Sequence, residues 1–206
     1  MILNTVKVSH NSLTPEFLNQ IRNTVLSKEF PWYPARKQEI INHTSTQADA
    51  KFNYSWEHWA VVNNLPNSKF AELLTSAAIM ALENANIKAK DILRVRVGLH
   101  SICHPDFLGQ DDRGDIHIDS TEPHNVGLLY LNNCNGDTHI YNEIYDPQYN
   151  LSSREYLERY LNNTVTICAV SSPKENKLIC FNGRHYHTGG FQTDTSIRVI
   201  INFNYI

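Results

Sequence analysis

Five residues near the middle of the chain alternate strictly: Asp115, Ile116, His117, Ile118 and Asp119. In an extended strand successive side chains point to opposite faces, so Asp115, His117 and Asp119 share one face and the two isoleucines the other. An imidazole and a carboxylate two residues apart on one face can converge on a single ion. A third ligand from a distant strand would complete the two-histidine, one-carboxylate set that leaves positions open on iron(II). Alone, a His-x-Asp pair is a common accident, so its meaning depends on what else the chain supplies.

A second group lies near the C-terminus: Phe181-Asn182-Gly183-Arg184-His185-Tyr186-His187-Thr188, then Ile197-Arg198-Val199-Ile200-Ile201-Asn202-Phe203. His187 stands eleven residues before Arg198, which is embedded in a strongly apolar strand. A guanidinium unpaired among Val, Ile and Phe costs several kcal/mol, so it requires an anion. No acid is adjacent in sequence; a distant carboxylate or a ligand must supply the charge. A planar guanidinium suits two-pronged recognition of a carboxylate, which points to an acidic cosubstrate. His185 lies two residues before His187, and alternation alone does not choose between them.

These residues need elements to hold them. A short edge strand is expected over 2–8. Thr14-Pro15-Glu16 supplies an N-cap, a proline at the first helical position and an acidic first turn, so the spacing of Phe17, Ile21, Val25 and Leu26 predicts a helix over 15–28. Residues 30–66, rich in Pro, Asn and aromatics, read as irregular, and a second helix is expected over 67–85. From residue 91 strand-like runs follow at 92–103, 115–118, 125–132, 138–142, 165–170, 177–181 and 196–205, separated by Gly, Asn, Asp and Pro. One short helix, 152–161, interrupts them. Two helices followed by seven or eight short strands predict an α+β chain with a jelly-roll core. The expected organisation is one domain over 1–206, with a helical supporting region at 1–90 and the catalytic barrel at 91–206.

The pieces together resemble the 2-oxoglutarate- and iron(II)-dependent dioxygenases, in their prolyl-hydroxylase-like branch with small phage and bacterial members. The resemblance covers 90–206. It rests on His117-Ile118-Asp119, Leu128-Leu129-Tyr130-Leu131-Asn132, Gly136-Asp137-Thr138, the segment from Phe181 to His187, and the segment from Arg198 to Phe203, in that order and spacing. It implies a double-stranded β-helix with His117, Asp119 and His187 as iron ligands. It further implies that Arg198 pairs with the distal carboxylate of 2-oxoglutarate, that the Tyr130 hydroxyl supports the same carboxylate, and that Thr138 lines the pocket. Implied cofactors are Fe(II), 2-oxoglutarate and O2, with ascorbate as a candidate reductant. The implied reaction hydroxylates a peptidyl or small-molecule carbon and releases succinate and CO2. Two departures stand out: Asp137 replaces the second glycine of the usual turn, and His185 is an additional histidine.

Composition narrows the partners. With 18 basic and 21 acidic side chains the formal charge is −3, and no Lys/Arg stripe is present, so duplex DNA is not expected as a partner. No signal peptide or spanning apolar run is visible, which fits a cytoplasmic protein with no membrane partner; no oligomeric state follows from the sequence. Cys103, Cys134, Cys168 and Cys180 form no CxxC pair and read as small buried hydrophobes.

The remaining candidates have plainer readings. His100, His104, His124, His139 and His185 read as surface or hydrogen-bonded histidines, and Asp115 as a strand-end residue. Arg94 and Arg96 face either solvent or the cavity. Trp32, Trp56 and Trp59 form satellite core or a lid, and the polar segment 104–114 reads as a lid. Two rival functions share this pattern: a cupin-like metal-binding barrel or zinc hydrolase with the same ligands, and a non-catalytic jelly-roll binding module. Arg198 and Tyr130 argue against the first, and an intact ligand set against the second.

Overall fold

A computed structural model of the protein describes residues 2–35, 55–103, 113–114, 116–148, 155–156, 158–159, 162 and 164–206. Helix α1 (Pro15–Val25) begins where the sequence demands: the Thr14 hydroxyl accepts from the Phe17 amide and Pro15 occupies the first turn. Leu18, Ile21 and Val25 are its buried stripe. Helix α2 (Ala71–Asn84) buries Ala71, Leu74, Ala77, Ala78, Ala81 and Leu82, four alanines that let its backbone lie close to its neighbours. It stops in a Schellman turn: Asn86 adopts φ 54°, Ile87 N–H bonds to Leu82 O, and Asn86 N–H to Glu83 O.

Both helices cover one face of a large antiparallel sheet. Its order is β1 (Lys7–Ser9), β9 (Leu178–Asn182), β6 (Asn125–Tyr130), β11 (Ile197–Tyr205), β5 (Ile92–Ser101), β3 (Ser55–Val62) and β2 (Tyr33–Pro34), with β4 (Leu65–Pro66) paired to β3. The smaller sheet runs β10 (His185–Gly189), β7 (Thr138–Ile144), β8 (Ile167–Ser171). Isolated bridges Arg113↔Gly190 and His117↔His187 lay the segment carrying His117 beside β10. Along the chain the path crosses between sheets: β5 in the large one, Arg113 and His117 beside the small, β6 large, β7 and β8 small, β9 large, β10 small, β11 large. That crossing is the double-stranded β-helix.

The period of two sorts the side chains. On β5 and β11, Val95, Val97, Val199, Ile201 and Phe203 pack outward with Ile21, Val25, Leu74 and Leu82 in the main core. The alternate residues, Arg94, Arg96, Gly98 and His100 on β5 and Arg198, Ile200, Asn202 and Asn204 on β11, face the other sheet. Between the sheets, Val126, Leu128, Tyr130, Ile140, Ile179, Phe181 and Ile200 form a second apolar cluster. A third, Ile116, Tyr141, Tyr156, Val165 and Tyr186, closes the outside of the small sheet. Fully burying each large apolar side chain contributes about 1.5–3 kcal/mol.

The structure departs from the sequence reading in several places. Residues 30–66 are not wholly irregular: they supply β2, β3 and β4, and β3 pairs with β5 along Ser55–Val61. Its turn is a two-residue hairpin in which Asn63 and Asn64 have φ 50° and 63°, conformations that asparagine tolerates. The expected strand 115–118 makes only a bridge at His117, and Asp115 lies outside the described residues. Strand β10 was absent from the reading because His185-Tyr186-His187-Thr188-Gly189 lacks a β-branched run. The expected helix over 152–161 falls largely outside the described residues, of which Glu155, Tyr156, Glu158 and Arg159 are helical. Cys168 is exposed rather than buried; the other three cysteines are buried. Among the described residues no helix is long and apolar enough to cross a membrane.

Candidate metal centre

His117 reaches the barrel interior from the segment beside β10, and the reciprocal backbone hydrogen bonds between His117 and His187 set the two residues side by side. Two residues on, Asp119 lies close to both rings. Potential ligand atoms of His117, Asp119 and His187 all lie within 4.8 Å of one another. Asp119 Oδ1 stands 3.8 Å from His117 Nε2 and 3.9 Å from His187 Nε2, and the imidazole centroids are 4.6 Å apart. This donor set, two imidazole nitrogens and one carboxylate oxygen, suits a divalent transition metal.

Hydrogen bonds fix the donors. His187 Nδ1–H donates to His185 O at 3.2 Å, which leaves the Nε2 lone pair directed inward. Burial, with His117 alongside, pushes the His187 imidazole down to about 3, so it stands neutral. Burial alone would raise the Asp119 carboxyl, but the Arg94 guanidinium and then the two imidazoles hold it well below the usual carboxylate range. Arg94 Nη2 lies 2.6 Å from Asp119 Oδ2, and Asn202 Nδ2 donates to the same oxygen at 3.3 Å.

His185 is settled by geometry. A register shift separates it from His187, and its Nδ1–H donates to Tyr141 O at 2.7 Å, away from the ligand atoms. His124 is 1% exposed and donates from Nδ1 to Glu122 O, with its ring against Gly183, where any Cβ would collide at 2.1 Å from Nε2. His104 and most of the 104–114 segment lie outside the described residues; Arg113, at its end, is buried beside Gly190.

Arg198 occupies the other end of the same interior face. It is 3% exposed, and no carboxylate lies within 4.0 Å of it among the described residues. Its Nη2 donates to Thr138 Oγ1 at 3.1 Å, the Tyr130 hydroxyl donates to the same oxygen at 2.9 Å, and among the described residues Nε of Arg198 has no partner. Gly189 lies against the guanidinium, where an added Cβ would stand 3.3 Å from Nη1. A buried cation with spare donors and a glycine-lined flank fits an anionic ligand. Four residues along β11, roughly 14 Å at ~3.4 Å per residue, separate Arg198 from Asn202 at the metal end. Beside Arg198 on β5, His100 is pushed down to about 3 by burial and then by Arg198 and Arg96.

The arginines left open in sequence face inward. Arg94 holds Asp119, Arg96 pairs with Glu57 at 3.4 Å, and both lie over the Trp59 ring at 5.4 and 5.6 Å. Trp32 is satellite core against Phe30, with its indole N–H on Val25 O. Sequence reasoning missed Asn202, Asn204 and Ser171, whose buried hydroxyl stands opposite Thr138 without a partner among the described residues. The asparagines carried a signal: two amides on the Arg198 face of an otherwise apolar strand. A lone serine in a strand carries none. A groove of about 1160 Å³ lies along α2 and shares no residue with the metal set.

No family model matches the sequence, and no curated protein does. Solved structures do match. The chain is similar to a prolyl hydroxylase from Trichoplax adhaerens, in complex with a hypoxia inducible factor oxygen degradation domain peptide fragment, at 14% identity and TM-score 0.57, covering 98% of this chain and 84% of that one. A Pseudomonas putida prolyl-4-hydroxylase matches at 10% identity and TM-score 0.51, over 98% and 91%. HygX from Streptomyces hygroscopicus, with nickel and 2-oxoglutarate bound, matches at 10% identity and TM-score 0.54, over 98% and 82%. These likenesses establish the fold, that of the prolyl hydroxylases and other 2-oxoglutarate–Fe(II) oxygenases.

Proposed function

We propose that this oxygenase fold carries an oxygenase: an Fe(II)- and 2-oxoglutarate-dependent dioxygenase that hydroxylates a peptidyl or small-molecule carbon. The observation that supports it most is Arg198, a buried guanidinium without a carboxylate partner among the described residues, on the same interior face as a His–Asp–His donor set. A zinc hydrolase or a simple metal-binding barrel has no use for that clamp.

His117, Asp119 and His187 would hold the iron from one side and leave its remaining positions to 2-oxoglutarate and dioxygen. The chemistry supplied by iron, 2-oxoglutarate and O2 together is oxidative decarboxylation to succinate and CO2, coupled to hydroxylation of a substrate carbon. Arg198 would take the distal carboxylate in a charge-assisted pair, with Thr138 and Tyr130 fixing the guanidinium and offering hydroxyls beside it. Leu128, Ile140, Phe181 and Ile200 line the space between the sheets and exclude water. Arg198 and Tyr130 act by positioning; neither moves a proton. We further take the protein to be cytoplasmic, with ascorbate serving as reductant.

The test is release of CO2 from 1-labelled 2-oxoglutarate by purified protein in air, with Fe(II) or Zn(II). Fe(II)-dependent release, abolished in Asp119→Ala and needing roughly tenfold or more 2-oxoglutarate in Arg198→Met, is the expected result. No release with Fe(II) beyond that of Asp119→Ala would return the chain to the metal-binding-barrel reading.

A further inference from the structure

The two oxygens of Asp119 have separate surroundings. Oδ1 faces His117 Nε2 and His187 Nε2 at 3.8 and 3.9 Å. Oδ2 lies 2.6 Å from Arg94 Nη2 in an ion pair and accepts from Asn202 Nδ2 at 3.3 Å. Arg94 is itself held: Nη2 donates to Asn202 Oδ1 at 3.2 Å and Asn204 Oδ1 at 3.0 Å, and the guanidinium rests on Trp59. Asn202 and Asn204 are each 3% exposed, so these anchors have little freedom to turn. The neighbouring cation, Arg96, has its own acid in Glu57 and acts on Asp119 less than Arg94 does.

A carboxylate can bind a metal through one oxygen or both. The reading of His117, Asp119 and His187 as iron ligands, on which this inference rests, needs three further positions: two for a chelating 2-oxo acid and one for dioxygen. If Oδ2 swung onto the metal, one would be lost. We propose that Arg94, with Asn202, is a positioning residue that restricts Asp119 to one-oxygen coordination and so keeps the cosubstrate positions open. The restraint is one of direction: a residue serving only to neutralise a buried carboxylate could engage either oxygen.

The experiment uses Arg94→Met, which removes the charge and keeps an unbranched stem. Cobalt(II) is titrated anaerobically at pH 8 into wild-type and variant protein, followed by visible absorption. 2-Oxoglutarate is then titrated into the Fe(II) forms, followed by their visible band. The variant is expected to take up one equivalent of cobalt with a changed spectrum, and to need tenfold or more 2-oxoglutarate for half-saturation. Arg94→Lys, which keeps a cation for Oδ2, should recover most of the wild-type cobalt spectrum. Asn202→Ala keeps the charge and removes one N–H from Oδ2; it should move both readouts the same way by less, and it carries the test if Arg94→Met does not fold. A wild-type cobalt spectrum with unchanged half-saturation in Arg94→Met overturns the proposal. Loss of cobalt binding by folded Arg94→Met also overturns it, since Arg94 would then support the ligand set as a whole. If wild type binds cobalt yet gives no response to 2-oxoglutarate, the oxygenase reading fails while the cobalt comparison still decides the role of Arg94.

Discussion

Two histidines two residues apart on the distal segment have different fates because each Nδ1–H finds a different carbonyl. His187 donates to His185 O and directs Nε2 at Asp119; His185 donates to Tyr141 O across the sheet. His185→Ala should therefore keep full metal stoichiometry and lose about 1 kcal/mol of stability with that hydrogen bond. His187→Ala should lose tight metal binding while remaining folded. Equilibrium dialysis with cobalt(II) and urea unfolding check both; equal metal loss in the two variants would contradict the assignment. At this scale the sequence was informative where a pattern is local. The alternation around His117 and Asp119 placed both on one face, and Arg198 announced itself as a cation in an apolar run. The partners of Asp119 were not legible, because Arg94 and Asn202 reach it from strands distant in sequence.

Elements position these residues through close approach. Strand β11 is central, paired on one side with β5 and on the other with β6, so Arg198, Ile200 and Asn202 are held at fixed intervals. Opposite Phe203 on β6 stands Gly127, and a Cβ there would fall 2.2 Å from the Phe203 ring. Gly127→Ala should cost about 1–3 kcal/mol by overpacking, seen as a lower Tm, and Phe203→Leu in the same chain should recover part of it. Additive losses in the double variant would show that the ring and the glycine are not coupled. Helix α1 was legible from its cap and α2 from its apolar spacing, since both signals are short-range. Strand β3 was obscured because its aromatics serve both faces: Trp59 turns to the arginines while His58 turns to Phe30 and Phe70. Strand β10 was obscured because its residues were chosen for the site rather than for strand propensity.

Across the whole molecule, several histidines are buried in the neutral form. His58 donates from Nδ1 to Pro31 O and pairs through Nε2 with Ser68 Oγ; burial lowers it, partly offset by the Pro31 carbonyl. Burial lowers His124 too. On acidification the unfolded chain takes up these protons first, near the ordinary histidine value of about 6.5. Stability present above that pH is therefore lost as pH falls through and below it, by up to about 1.4 kcal/mol per pH unit for each such histidine. The contribution of Asp119, held low, is lost only at lower pH, below the ordinary carboxylate value of about 3.9. Urea unfolding of metal-free protein at pH 8, 6.5 and 5 should show a decline between the last two that His58→Gln reduces. A flat profile would mean that these histidines do not titrate with folding.

The central claim is that a His–Asp–His set and a buried arginine jointly hold iron and 2-oxoglutarate. Anaerobic visible absorption during titration of metal-free protein with Fe(II) and 2-oxoglutarate tests it without knowledge of the substrate. A weak charge-transfer band is expected that requires both additions, disappears in His187→Ala and needs far more 2-oxoglutarate in Arg198→Met. Folded protein that binds iron but develops no such band at saturating 2-oxoglutarate would contradict it.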